Sequence, residues 1–326
     1  MPKVAILDDY QGVALEMADW SVLPPNCQVQ VFKDHVAELD ALAERLREFE
    51  IVTCMRERTP FGRDLLERLP NLRLLVTTGM RNAAIDLKAA TDLGIPVCGT
   101  AGGPDAPPAE LTWGLILALV RHIPREDALT RAGHWGTTVG MSLEHKVLGV
   151  LGLGRLGGKV AKVGVAFEMS VIAWSQNLTA ERAAQYGATL VTKDELFARS
   201  DILTIHVQLS ARTRGLVGAR ELSLMKPSAY LINTARGPIV DEAALVQALQ
   251  ARTIAGAGLD VFDQEPLPPG HPLTLLDNTL LVPHIGYVTT DQYQVRYRET
   301  VENIAAYLRG EPLRVLNPDV RETARK

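Results

Sequence analysis

Three polar residues, Arg236, Glu265 and His284, each stand just after an apolar, strand-like run in a chain of 326 residues. Arg236 follows Leu231-Ile232-Asn233-Thr234-Ala235 and precedes Gly237. Glu265 follows Gly258-Leu259-Asp260-Val261-Phe262-Asp263-Gln264 and precedes Pro266. His284 follows Leu281-Val282-Pro283 and precedes Ile285-Gly286. Ligands of open parallel sheets bind beyond the carboxyl ends of the strands, so all three side chains can converge on one crevice. Their types suit reduction of a 2-oxo acid at C2. A guanidinium grips a carboxylate with its planar fork and polarises the neighbouring carbonyl. An imidazole can protonate the alkoxide that develops, and a carboxylate beside it favours the charged ring and fixes its orientation. Taken singly, an Arg before Gly is often a surface ion pair, a Glu before Pro a loop residue, and a His a structural one. The case rests on their joint placement.

A hydride donor is implied by a second motif. Gly152-Leu153-Gly154-Arg155-Leu156-Gly157 follows the apolar run Val147-Leu148-Gly149-Val150-Leu151 and opens a helical pattern over 159–167. This is the context in which the glycine spacing marks a dinucleotide site. Gly152 permits a tight turn, Gly154 lets backbone approach a pyrophosphate, and Gly157 lets helix pack on strand. The helix N-terminus then presents N–H groups to the anion. An NAD site normally has a carboxylate on the ribose at the end of the next strand. Here that strand, Val171-Ile172-Ala173-Trp174, ends in Ser175-Gln176-Asn177. Nothing there repels a 2′-phosphate, no Arg in the turn attracts one (Arg182 is the nearest), and Ser175 and Asn177 can bond either ribose form. The cofactor is NAD or NADP, undecided, with NADP favoured slightly.

The elements that must position these groups alternate along the chain. Strand patterns at 3–7, 29–32, 51–53 and 74–77 are separated by helical patterns such as 37–49 and 63–69, which predicts a parallel sheet covered on both faces. Gly99-Thr100-Ala101-Gly102-Gly103-Pro104 reads as a hinge-like loop, followed by a helix over about 108–121. A second series begins at Val147, with further strands at 171–174, 202–206, 230–233, 256–259 and 280–282. The last helix, about 291–308, is too isolated to form a domain and is expected to pack on the first. The expected fold is α/β, with two Rossmann-like, doubly wound parallel-sheet domains and a cleft between them. The first, 1–103 plus 291–326, is a flavodoxin-like substrate domain; the second, 104–290, binds NAD(P).

Composition excludes several classes. The charge of −4 gives no basic bias, so no nucleic-acid partner is expected. The longest apolar run, Leu111–Val120, is too short to span a bilayer. The chain opens on a strand pattern, so no signal peptide is expected. The three separated cysteines, Cys27, Cys54 and Cys98, imply no disulfide framework, which suits a cytoplasmic protein. Cys54 and Cys98 read as small core residues, and no metal site is expected.

The segments Asn233-Thr234-Ala235-Arg236-Gly237, Gly258-Leu259-Asp260-Val261-Phe262 through Glu265-Pro266, and Pro283-His284-Ile285-Gly286 resemble signature blocks of the D-isomer-specific 2-hydroxyacid dehydrogenases. That family includes D-3-phosphoglycerate dehydrogenase and glyoxylate/hydroxypyruvate reductase. The resemblance covers nearly the whole chain. It implies Arg236 as substrate anchor, His284 as acid/base and Glu265 as its partner. It also implies Asp260 at the nicotinamide carboxamide, with Arg155, Leu156, Val207, Thr213, Thr234 and Ala235 lining the cofactor.

The segment Thr77-Thr78-Gly79-Met80-Arg81-Asn82 resembles the family's substrate loop, where N–H groups at about Gly79 and Met80 would hold the carboxylate. Arg81 replaces a residue usually small or apolar and is a candidate for an anionic substrate group. Gln208 stands where the family usually has Pro, and His206 reads as lining the cofactor. The resemblance further implies a homodimer through an arm at Gly133-His134-Trp135, and no C-terminal regulatory extension. The expected partner is a small 2-oxo or 2-hydroxy acid. The alternative is a dinucleotide-sensing binding protein of corepressor type on the same scaffold; formate oxidation fits less well, because related formate dehydrogenases carry Gln where this chain has Glu265.

Overall fold

The computed structural model describes residues 1–320. The chain forms two compact units: Met1–Pro104 with the segment from Val288 onward, and Asp105–Tyr287.

In the first unit, β1 (Lys3–Ile6), β2 (Gln28–Val31), β3 (Ile51–Cys54), β4 (Leu74–Thr77) and β5 (Val97–Gly99) form one parallel sheet in the order β2-β1-β3-β4-β5. This is the flavodoxin order, with its switch point between β1 and β3. β3 and β4 are buried along their whole length, whereas the edge strand β2 alternates between exposed and half-buried. Successive side chains face opposite sides of the sheet. Ala5, Val52 and Leu75 therefore meet Leu42, Leu46, Leu65 and Leu66 of the helices Leu39–Leu46 and Arg63–Glu67. On the other face Val4, Ile51, Leu74, Val76 and Cys98 meet Val301, Ile304 and Ala305 of the helix Thr290–Leu308. β5 was not expected from the sequence. It is only three residues long, and distant residues complete it: Gly99 N–H donates to the Arg314 carbonyl and Val97 N–H to Asn317 Oδ1.

The second unit holds β6 (Val147–Leu151), β7 (Ser170–Trp174), β8 (Ala188–Leu190), β9 (Ile202–Ile205), β10 (Tyr230–Asn233), β11 (Gly256–Leu259) and β12 (Thr279–Leu281). All are parallel, in the order β12-β11-β10-β9-β6-β7-β8. Counted from β6, this is the Rossmann order extended by a seventh strand. The helix Pro107–Val120 places Trp113, Leu115 and Ile116 against Leu148, Val150, Ile202 and Ile232. The opposite face is covered by Leu196, Phe197, Leu222, Leu245 and Leu249. The expected pair of doubly wound parallel-sheet domains is thus present.

β8 escaped the sequence reading because Ala188-Thr189-Leu190 is short and lies at a sheet edge. The helix expected from Lys159 starts four residues earlier, at Arg155. Glycine disfavours a helix interior, but Gly157 and Gly158 lie on its buried face, where close packing outweighs propensity. Among the described residues, no helix is long and apolar enough to cross a membrane.

Candidate active site

Strand register brings Arg236, Glu265 and His284 to one end of one sheet. Asn233 of β10 pairs with Leu259 of β11, and Leu259 with Leu281 of β12. The three residues lie just beyond these matched positions. The turn carrying Arg236 is fixed from below by Asn233, which is 1% exposed. Its Nδ2 donates to the Arg236 carbonyl and its Oδ1 accepts the Ala235 N–H, both at 3.0 Å. Thr234 Oγ1 lies 2.8 Å from Thr112 Oγ1 on the helix Pro107–Val120. Gly237 then packs so tightly on the Phe262 backbone that any Cβ would collide with it. Glycine at this position is what lets the Arg236 turn reach the loop that carries Glu265.

That loop delivers a carboxylate to the histidine. Glu265 Oε1 accepts the Phe262 N–H at 3.0 Å, and Oε2 lies 2.5 Å from His284 Nδ1. Both side chains are largely buried. Since an ionised carboxylate can only accept, Nδ1 carries a proton and the second ring nitrogen, Nε2, makes no hydrogen bond among the described residues. His284 itself has φ +52, the left-handed region that residues with a Cβ seldom occupy. The edge of the Tyr287 ring system packs beside the imidazole, 5.6 Å between centroids.

Asp260 holds this strained turn. Its Oδ1 and Oδ2 accept the N–H groups of Ile285 and Gly286 at 2.6 and 3.0 Å. Burial pushes its carboxyl up to about 6, opposed by the His284 charge and by the two N–H groups. The sequence pointed to Asp260 only through the family's cofactor pattern; the structure adds that it anchors the turn presenting His284.

The glycine motif has the shape a dinucleotide needs. Gly152 has φ +101, and a Cβ there would lie 2.7 Å from His206 C and Val207 N. Gly157 has no room for a Cβ beside the Gly152 carbonyl, whereas the side of Gly154 opens onto empty space. The helix Arg155–Ala166 starts at Gly154 with no side-chain cap, so the N–H groups of its first turn are available to an anion. Residues and shape therefore fit a pyrophosphate. Leu156 follows Arg155 in that turn, and Arg155 and Lys159 flank it, both paired with Asp105 at 3.1 and 3.2 Å.

At the end of β7, Ser175 Oγ accepts the Leu153 N–H at 3.0 Å, tying the ribose-side turn to the glycine loop. Thr213 accepts the Ser210 N–H at 2.8 Å and donates to the Gln208 carbonyl at 2.6 Å, ordering the loop beyond Val207. His206 is neutral: burial lowers it from 6.5 to about 4, and its Nε2 bonds Thr204 Oγ1.

The first-unit loop departs from expectation at one atom. The Gly79 N–H donates to Thr100 Oγ1 at 2.9 Å, so in this structure it is already engaged within the unit. The Met80 N–H makes no hydrogen bond among the described residues, and Met80 and Arg81 are exposed. The sequence reading missed Arg56. Its guanidinium lies directly against Gly79 and pairs with Glu57 at 3.5 Å. The Arg56 backbone is locked to the same loop, its N–H donating to Thr78 Oγ1 and its carbonyl accepting from Asn82. No spacing in the sequence marks this contact, because it joins two strand ends through their loops. Among the described residues there is no cluster of His, Cys, Asp and Glu able to hold a metal, and all three cysteines are free thiols. Burial raises Cys54 to about 12 and Cys98 to about 11, which makes both inert.

Comparison with known proteins points the same way. Residues 113–286 match the family described as D-isomer specific 2-hydroxyacid dehydrogenase, NAD binding domain. A glyoxylate reductase of Aeropyrum pernix is 40% identical over 267 residues, covering 79% of this chain and 80% of that one. The crystal structure of a phosphoglycerate oxidoreductase from Vibrio cholerae O395 superposes with a TM-score of 0.90 at 36% identity, covering 95% of this chain and 100% of that one. A D-lactate dehydrogenase from Aquifex aeolicus, solved with NAD and lactic acid, gives 0.75 at 28% identity, with coverage of 94% and 96%.

Proposed function

This chain belongs to the D-isomer-specific 2-hydroxyacid dehydrogenase family, as an NAD(P)-dependent oxidoreductase interconverting 2-hydroxy and 2-oxo acids, and we propose that Arg236, Glu265 and His284 carry its chemistry. The observation that supports this most is the His284–Glu265 pair, with Nδ1 committed to the carboxylate and Nε2 left for substrate. When bound, the nicotinamide supplies or accepts the hydride. Arg236 holds the substrate carboxylate and draws electron density from the C2 carbonyl. In reduction, protonated His284 gives its Nε2 proton to the C2 oxygen; in oxidation, neutral His284 takes it back through the same nitrogen. Glu265 keeps the ring oriented throughout by accepting the Nδ1–H. Asp260 keeps the turn from drifting, through the Ile285 and Gly286 N–H groups.

In this reading the unit Asp105–Tyr287 holds the dinucleotide, through Gly152, Gly154, Arg155, Leu156 and Gly157, with Ser175, Val207, Thr213, Thr234, Ala235 and Asp260 around it. Within the first unit, the loop at Gly79, Met80 and Arg81 is the candidate substrate loop, with the exposed Met80 N–H and the Arg56 and Arg81 side chains as its groups suited to an acid. These relatives are named for glyoxylate, phosphoglycerate and D-lactate, so the substrate is taken to be a small 2-oxo acid of this series. The protein is further proposed to be a cytoplasmic homodimer. Its helix Ile123–Arg131 buries no residue, and Trp135 and Val139 in the following arm are 89% and 93% exposed.

Oxidation of NADH and of NADPH with glyoxylate, hydroxypyruvate, pyruvate and phosphohydroxypyruvate tests the proposal. Turnover of at least one oxo acid, abolished with its 2-deoxy analogue, is expected. Tight cofactor binding without turnover of any of them would instead favour a dinucleotide sensor.

A further inference from the structure

The loop carrying Glu265 leaves β11 at Asp260 and regains regular structure at the helical turn Pro272–Leu275. A single carboxylate outside the loop holds both of its ends. Glu242, the first residue of the helix Glu242–Gln250, accepts the Asp263 N–H on Oε2 at 3.2 Å, and its Oε1 lies 3.0 Å from His271 Nε2. The state of the His271 ring follows from its other contact. Nδ1 lies 3.3 Å from the Leu273 nitrogen, whose N–H can only donate. Nδ1 therefore accepts in this arrangement, and Nε2–H donates to Glu242. Both side chains are mostly buried, 17% and 21% exposed. Glu242 is itself well fixed, because Asp241 caps its helix by accepting the Ala244 N–H at 3.0 Å.

We propose that Glu242 and His271 are a positioning pair that closes the 263–271 loop and thereby fixes Glu265 against His284. The inference rests on the reading of Glu265 and His284 as the acid/base pair. Neither Glu242 nor His271 meets the reacting atoms; they act through Glu265, which lies between the two pinned points. Without the latch, the loop keeps Leu267 and Leu273 in the core but loses both of its hydrogen bonds to the helix Glu242–Gln250, at Asp263 and at His271. The imidazole then loses its orientation for part of the time, and misplacement by about 1 Å is enough to cost a large factor in rate.

Glu242→Ala and His271→Leu are expected to lower kcat for oxo-acid reduction by about 10- to 100-fold, with KM and cofactor Kd changed by less than about twofold. His271→Gln keeps an N–H donor for Glu242 and is expected to recover most of the rate. In a Glu265→Gln background, Glu242→Ala is expected to change kcat by less than about twofold, because residues acting through one another are not additive. Parental kcat in Glu242→Ala would overturn the proposal, as would a loss that persists in full in the Glu265→Gln background. If Glu242→Ala does not fold, His271→Leu carries the test in its place; an unchanged kcat there counts equally against the latch. Failure of the acid/base reading itself shows up separately, as a His284→Ala enzyme that still turns over.

Discussion

His284 depends on the difference between its two ring nitrogens, and that difference is set by Glu265 at 2.5 Å. The same logic of local partners gives two tests at the level of single residues. Ser175 stands at the end of β7 where NAD-selective sites carry an acid. Ser175→Asp is expected to raise KM for NADPH about tenfold or more while leaving NADH usable, since a carboxylate repels the 2′-phosphate; steady-state kinetics with both cofactors decides it. His206 is held neutral by burial, at about 4 against 6.5 for the unfolded chain. The unfolded chain therefore binds more protons between these values. The stability this group contributes is complete above about 6.5 and is lost as pH falls towards 4, by about 3 kcal/mol at most. Urea melts across this window are expected to lose that slope in His206→Asn.

The placement of some candidate residues was legible in the sequence because they follow strands directly: Arg236, Glu265 and His284 needed only the rule about strand ends. The Thr100 hydroxyl that takes the Gly79 N–H was not legible, because its effect depends on where two separate loops meet. Arg56 over Gly79 was missed for the same reason.

At the level of elements, the strands that position the site were readable and the short edges were not. β9, β10 and β11 are apolar runs closed by turn residues, as the core of a parallel sheet requires. β5 and β8 are three residues each, and β5 depends on Arg314 and Asn317, far along the chain. Element packing also predicts the effect of Gly237→Ala. The new methyl group must push apart the Arg236 turn and the Phe262 backbone. A loss of about 1–3 kcal/mol in urea-melt stability is expected, with a higher KM for the oxo acid. In the first unit, Ile304 is fully buried between the helix Thr290–Leu308 and the sheet. Ile304→Ala is expected to cost about 2–5 kcal/mol without changing cofactor affinity, as measured by urea denaturation and cofactor fluorescence.

At the scale of the whole molecule, two units with separate cores share one chain, and each has its own part of the chemistry in the proposed reading. The alternation of strands and helices made the fold class readable, whereas the exposed arm carries no signal of its own beyond its resemblance. Trp135→Glu tests that arm: light scattering is expected to show a shift from dimer to monomer, and an unchanged dimer would place the interface elsewhere. The most direct test of the proposed chemistry is the kcat of His284→Ala for oxo-acid reduction, measured alongside its cofactor Kd. A fall of roughly 10²–10⁴-fold in kcat with Kd unchanged is the predicted result. A kcat within a few-fold of the parent would contradict it.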